Sequence, residues 1–95
     1  MRPVTLTDIA AAARVLLALP EAQRAAGLAA LLARATAADR HRCDTGCNHP
    51  AYGNGTLLAA ALAHPCAEPR SPGSADYLAC LAQVIEALVA HNRTG

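Results

Sequence analysis

The sequence predicts an all-α fold, a small four-helix domain, and two features of its composition support this. Of the 95 residues, 25 are alanine and 13 are leucine, whereas the aromatic residues are limited to Tyr52 and Tyr77. Alanine and leucine favour helices, and the β-branched residues that favour strands are sparse. Because a chain of this length corresponds to one domain, residues 1–95 are predicted to form a single helical domain.

Two helices are predicted in the first half of the chain, over about residues 6–19 and 20–42. Thr5 followed by Asp8 resembles a capping box at the start of the first helix. Pro20 is suited to the first turn of the second helix, which is unusually long. Apolar residues recur at helical spacing in both segments. They are Leu6, Ile9, Ala13, Leu16 and Leu17, and then Leu28, Leu31, Leu32 and Ala35.

An irregular loop rich in Gly, Asn and Pro is predicted between helices 2 and 3, and two further helices follow it. Gly46 is expected in the left-handed position after helix 2, and Asn54 is expected to cap the short helix 3, over about 56–63. Leu81 and Ile85 of helix 4 are expected to fill the centre of the core. Helix 4, over about 75–91, is the most clearly amphipathic element, with seven residues on its apolar face. They are Tyr77, Leu78, Leu81, Val84, Ile85, Leu88 and Val89.

The charge balance argues against nucleic-acid and membrane partners. Eight arginines and seven acidic residues give a net charge of +1, without the basic excess that is typical of nucleic-acid or membrane-surface binding. No run of eighteen apolar residues is present, and Asp8 interrupts the N-terminal region where a signal peptide would need its apolar core. We therefore expect a cytoplasmic protein with four reduced cysteines, of which Cys80 is predicted to be a core residue.

A cluster of histidines and cysteines raises zinc binding as an alternative. Zinc accepts such ligands tetrahedrally, but a helix that continues to Cys43 would point His41 and Cys43 about 200° apart. No metal site is therefore favoured, although a zinc-stabilised helical module remains an alternative. Its ligands would be Cys43, Cys47 and His49, with one of His41, His64 or Cys66.

Catalysis and DNA binding are weaker interpretations. Cys47, His49 and Asp44 are adjacent in sequence, but no oxyanion-hole element accompanies them, so no catalytic residue is predicted and the protein is expected not to be an enzyme. A DNA-binding regulator is a further alternative, but the loop after helix 2 is too long for a helix-turn-helix and helix 3 lacks base-reading side chains. The arginines it would use are Arg34, Arg40, Arg42 and Arg70.

Several short motifs are similar to those of a small uncharacterised all-helical family from Rhodobacter-group alphaproteobacteria. The chain resembles this family in an acidic-basic helix end at 38–40 and in a TG…HP-aromatic-GNG loop over 45–55. Tyr52 occupies an aromatic position where the family more often has Trp, and Cys43 and Cys47 depart from the family's polar or basic residues. The resemblance implies no established activity, and it suggests a link to phage-derived particles.

The function predicted from these observations is that of a non-enzymatic protein-interaction or assembly module. It is expected to bind a protein partner or a second copy of itself, without a cofactor, and no small-molecule substrate is inferred. His49, Tyr52 and Asn54 have two interpretations, since they either give the loop its structure or contact the partner.

Overall fold

The computed structural model describes residues 1–71 and 73–94, and it confirms the all-α prediction. The four helices in these ranges are α1 (Leu6–Leu17), α2 (Glu21–Thr45), α3 (Leu57–Leu62) and α4 (Ala75–Thr94). The β-type pairing between His49 and Gly53 is an isolated bridge within the loop. Within the described ranges, none of the helices combines the length and the hydropathy required to cross a membrane.

The ends of α1 and α2 differ slightly from the prediction. The capping box of Thr5 and Asp8 is present, but α1 ends at Leu17, and the Arg24 guanidinium donates hydrogen bonds to the carbonyls of residues 16 and 19. Pro20 is the N-cap of α2 and does not lie in its first turn. At the other end α2 continues to Thr45, three residues further than predicted, and stops at Gly46, whose φ of 75° is left-handed as expected.

The residue that caps α3 is Thr56, so the prediction that Asn54 caps this helix is wrong. The Thr56 hydroxyl accepts the N–H of Ala59 at 3.1 Å. Asn54 binds the capping residue instead of the helix, because its side-chain oxygen accepts both the N–H and the hydroxyl of Thr56, at 3.1 and 2.7 Å. Asn54 thus fixes the residue that caps the helix.

The core forms where α1 packs on α4 and α3, with α2 across one side. The predicted stripe of α2 is buried, and so are Cys80, Val84 and Leu88 of α4. By contrast, Leu6, the first residue of α1, and Leu62, the last residue of α3, are largely exposed. The remaining members of the central cluster come from α1, α3 and α4: Ala12, Ala13, Val15, Leu16, Leu57, Ala60, Ala61 and Tyr77.

The predicted apolar face of α4 is wider than the surface that covers it. Leu78, Ile85 and Val89 belong to the predicted apolar face but are about half exposed. At 100° per residue they lie on one side of the helix, between about 60° and 140° from Val84 and Leu88. The 12-residue α1 covers only one side of the 20-residue α4, and α2 touches α4 little. The expectation that Ile85 fills the centre is therefore wrong.

Candidate functional site

The loop between α2 and α3 docks directly on the backbone of α2. Gly53 and Gly55 both have left-handed φ angles, of 83° and 89°. A Cβ added at Gly55 would lie 2.7 Å from the Cα of Asp39 in α2, so a side chain has no room there. The Gly55 carbonyl also accepts the N–H of Arg2 at 2.9 Å. The two glycines of the Gly-Asn-Gly motif therefore allow a left-handed backbone conformation, and Gly55 also allows the loop to approach α2 closely.

Ring contacts continue from this loop onto α2. The rings of His49 and Tyr52 stack, with centroids 4.4 Å apart and planes 8° from parallel, and the ring of His41 meets His49 edge-on at 5.1 Å. His49 Nδ1 accepts the backbone N–H groups of Ala51 and Tyr52, at 3.0 and 3.1 Å. Arg34 of α2 places its guanidinium carbon 5.9 Å from the centre of the Tyr52 ring, which gives a cation–π contact.

Arg34 also binds His64, which follows α3, and this contact fixes the protonation pattern of the imidazole. An arginine side chain can only donate, so His64 Nε2 must accept the hydrogen bond from Arg34. His64 Nδ1 therefore carries the proton and donates to the carbonyl of Ala60 at 3.0 Å. The contact links residues 30 positions apart, and sequence reasoning missed it because it depends on how α2 and α3 pack.

Asp8 is a buried carboxylate that serves the starts of two helices. Its Oδ2 accepts the N–H and the hydroxyl of Thr5, both at 2.7 Å, and its Oδ1 accepts the N–H of Leu58 in α3 at 2.8 Å. Burial acts to raise the pKa of Asp8, but these hydrogen bonds outweigh it and hold the pKa below its ordinary value. Asp8 thus connects α1 to α3 in its ionised form.

The comparisons with known proteins identify a family. Residues 2–88 match the family described as a domain of unknown function (DUF7742). The chain belongs to the DUF7742 family. The match includes α1, α2, α3 and most of α4, so the loop, Arg34, His64 and Asp8 all lie within the family's domain. No curated protein and no solved structure gives a significant match.

Membership of DUF7742 confirms the predicted relation to an uncharacterised family, whereas the Rhodobacter-group origin stays a prediction. The family description assigns no activity.

The residues of the zinc alternative do not form a metal-binding group in the described part of this DUF7742 chain, although the rings of His41 and His49 are in contact. Because α2 continues to Thr45, His41 and Cys43 point to different sides of the helix, which is the arrangement that disfavours chelation. Cys43, Cys47 and Cys66 are exposed, and His64 is engaged by Arg34. Among residues 1–71 and 73–94, no group of three His, Cys, Asp or Glu side chains is placed to hold an ion.

The thiol of Cys80 differs from the other three because it lies in the core. As predicted, Cys80 is a small buried residue of α4. Burial is the largest cause that raises the pKa of this thiol. A buried, protonated thiol is a poor nucleophile, so Cys80 has a packing role.

The arginines of the DNA-binding alternative differ in their surroundings in this DUF7742 chain. Arg34 is half-buried and contacts His64 and Tyr52. Arg42 donates to Asp39 at 3.1 Å, and this hydrogen bond is the largest cause that lowers the pKa of Asp39. Arg40 and Arg70 are exposed, on α2 and on the connector before α4.

Proposed function

We propose that this DUF7742 chain is a non-enzymatic protein-interaction module that binds its partner through the outer face of α4. The observation that carries the proposal is a stripe of apolar side chains that the rest of the fold leaves uncovered. Leu78, Ile85 and Val89 are 50%, 46% and 46% exposed, and exposed Ala82 completes the row. We call these four residues the α4 stripe.

The spacing of the α4 stripe suits the docking of another helix or of an apolar groove. Its members lie at positions i, i+4, i+7 and i+11, which place side chains on one side of a helix over about 16 Å. Three large aliphatic side chains in one row gain free energy when a partner removes them from water. A contiguous exposed apolar patch of this kind is typical of protein-interaction sites.

The opposite flank of α4 also supports an assembly role. Between α2 and α4 lies an open groove with two sections of about 500 and 360 Å³. Its α2 wall consists largely of alanines, and Ala25, Ala29, Ala33 and Ala37 are exposed at intervals of four residues. Small side chains allow close approach of a helix. The groove therefore adds a second exposed surface beside α4, and its small apolar side chains belong to α2.

Site-specific photo-crosslinking tests the proposal directly. The crosslinking amino acid p-benzoylphenylalanine replaces Ala82 within the α4 stripe, and in the matched control it replaces Ala79, which is also exposed on α4 but lies off the stripe. We expect a discrete crosslinked product from position 82 and none from position 79. The added mass identifies either a second copy of the chain or another protein.

A substitution in the stripe provides the second part of the test. Ile85→Glu places a charge in the stripe, so we expect it to remove the crosslink at position 82 while circular dichroism and the melting temperature stay close to wild type. The proposal is contradicted by equal crosslinking at positions 79 and 82, or by its persistence in the Ile85→Glu variant. The cytoplasmic location, the absence of enzymatic activity and the link to phage-derived particles stay predictions.

A further inference from the structure

Arg34 has a charge that no acidic side chain balances in the described part of the chain. Its structural contacts are the imidazole of His64 and the ring of Tyr52. Of the five N–H donors of its guanidinium group, one meets an acceptor among the described residues. The half-buried guanidinium therefore retains most of its capacity to bind an anion.

The Arg34–His64 pair separates two cavities. The larger, of about 330 Å³, lies between the C-terminal end of α1, the face of α2 that carries Gly27 and Ala30, and Pro65. The smaller, of about 210 Å³, lies between α2, α3 and the loop at Tyr52. Arg34 and His64 line both cavities, and no acidic side chain lines either one within the described residues.

The residues that line the larger cavity are apolar, apart from Arg34 and His64. Its other lining residues are aliphatic or glycine: Val15, Ala18, Leu19, Gly27, Ala30, Leu31 and Pro65. Small-molecule sites are typically apolar concavities of about 300–1,000 Å³ with a few polar groups that fix orientation. The volume here lies at the lower end of that range and therefore suits a short apolar group.

We propose that this cavity binds a small organic carboxylate. The aliphatic part of the ligand lies between α1 and α2, and its carboxylate pairs with Arg34. His64 acts as a positioning residue, because its hydrogen bonds from Arg34 and to Ala60 hold the guanidinium at the boundary of the cavities. Tyr52 holds the guanidinium from the loop side. This site shares no residue with the α4 stripe.

The proposal is tested with hexanoate as the probe and 1-hexanol and acetate as its two halves. Titrations followed in ¹H–¹⁵N spectra report the amides of Gly27, Ala30 and Leu31 at the cavity wall. We expect hexanoate to shift these amides saturably and to bind more tightly than either comparison compound. Equal binding of hexanol and hexanoate, or no shift at these amides, would overturn the proposal.

Three variants distinguish the contribution of the Arg34 charge to binding from that of the cavity. Arg34→Gln should weaken hexanoate binding about tenfold or more, as expected for a lost charge-assisted pair, and should leave hexanol binding unchanged. Ala30→Leu retains Arg34 but fills the cavity, so it should abolish binding of both compounds. The matched control Arg40→Gln removes an exposed arginine of the same helix and should change binding by less than about twofold.

The proposal can be contradicted even if one of these variants does not fold. If Arg34→Gln does not fold, Ala30→Leu alone decides, since hexanoate binding that survives in this variant contradicts the cavity assignment. An equal loss of hexanoate binding in Arg40→Gln and Arg34→Gln would mean attraction by net charge and would likewise overturn the proposal.

Discussion

The start of α3 and the outer part of α4 are held in the fold by different kinds of interaction. Around α3, directional contacts dominate: Asp8 binds the N–H of Leu58, Asn54 binds Thr56, and Gly55 lies against the backbone of α2. α4 is attached chiefly by apolar packing on α1, and its stripe remains exposed. The first region is therefore specified for one geometry, whereas the second leaves apolar surface exposed.

The largest effect is expected where the loop meets α2. Gly55→Ala requires a left-handed conformation of a residue with a Cβ and forces that Cβ into the α2 backbone, so we expect a loss of about 4 kcal/mol of unfolding free energy. Gly46→Ala is the matched control, because its φ is also left-handed but open space surrounds it. It should lose only about 1–2 kcal/mol in urea denaturation. Equal losses would show that the close approach is unimportant.

The next effect concerns Asp8 and includes a pH dependence. Asp8→Asn weakens the hydrogen bonds to Thr5 and Leu58, and we expect a loss of about 3 kcal/mol near neutral pH. Because the pKa of Asp8 is lowered in the folded state, its contribution is complete above the unfolded pKa of about 4 and is lost as the pH falls through the folded pKa.

Urea denaturation of the wild type and Asp8→Asn between pH 7 and pH 2 checks this expectation. The difference in unfolding free energy should be constant above about pH 5 and should narrow below about pH 4. A difference that widens in acid would contradict the role of the ionised carboxylate.

A smaller effect distinguishes the two sides of α4. Val84 is buried, and Val84→Ala should cost about 2 kcal/mol of unfolding free energy. Replacing the adjacent Ile85 by alanine removes more carbon atoms than Val84→Ala does. Because Ile85 lies on the exposed α4 stripe, Ile85→Ala should nevertheless cost less than about 1 kcal/mol of unfolding free energy. Thermal and urea unfolding of the two variants give the comparison. A larger cost at Ile85 would show that the stripe is covered within the fold.

The smallest expected effect is that of the ring stack in the loop. His49→Ala removes the stack on Tyr52 and the acceptor for two loop N–H groups, but water can replace the acceptor in this exposed loop. We expect a loss of about 1 kcal/mol and faster hydrogen exchange at the amides of residues 51 and 52. His41→Ala is the control, since it makes only an edge contact, and it should leave those amides protected.

Local sequence signals were sufficient for most of the helix positions. The capping box at Thr5, the left-handed Gly46 and the buried stripe of α2 each depend on residues within one or two helical turns. The error at α3 is also local, since Asn54 and Thr56 are both suitable caps two residues apart. Sequence reasoning recognised the Gly-Asn-Gly turn but not the docking of its second glycine on α2.

The all-α class, the order of the four helices and the residues able to cap them could be predicted from the amino-acid sequence, because these follow from hydrogen bonds and side-chain periodicity between near neighbours. The second role of Asp8 at Leu58, the pairing of Arg34 with His64, and the part of the α4 face that is covered became visible only in the folded chain. These contacts join residues 50 and 30 positions apart, and they depend on the relative placement of helices that periodicity alone does not specify.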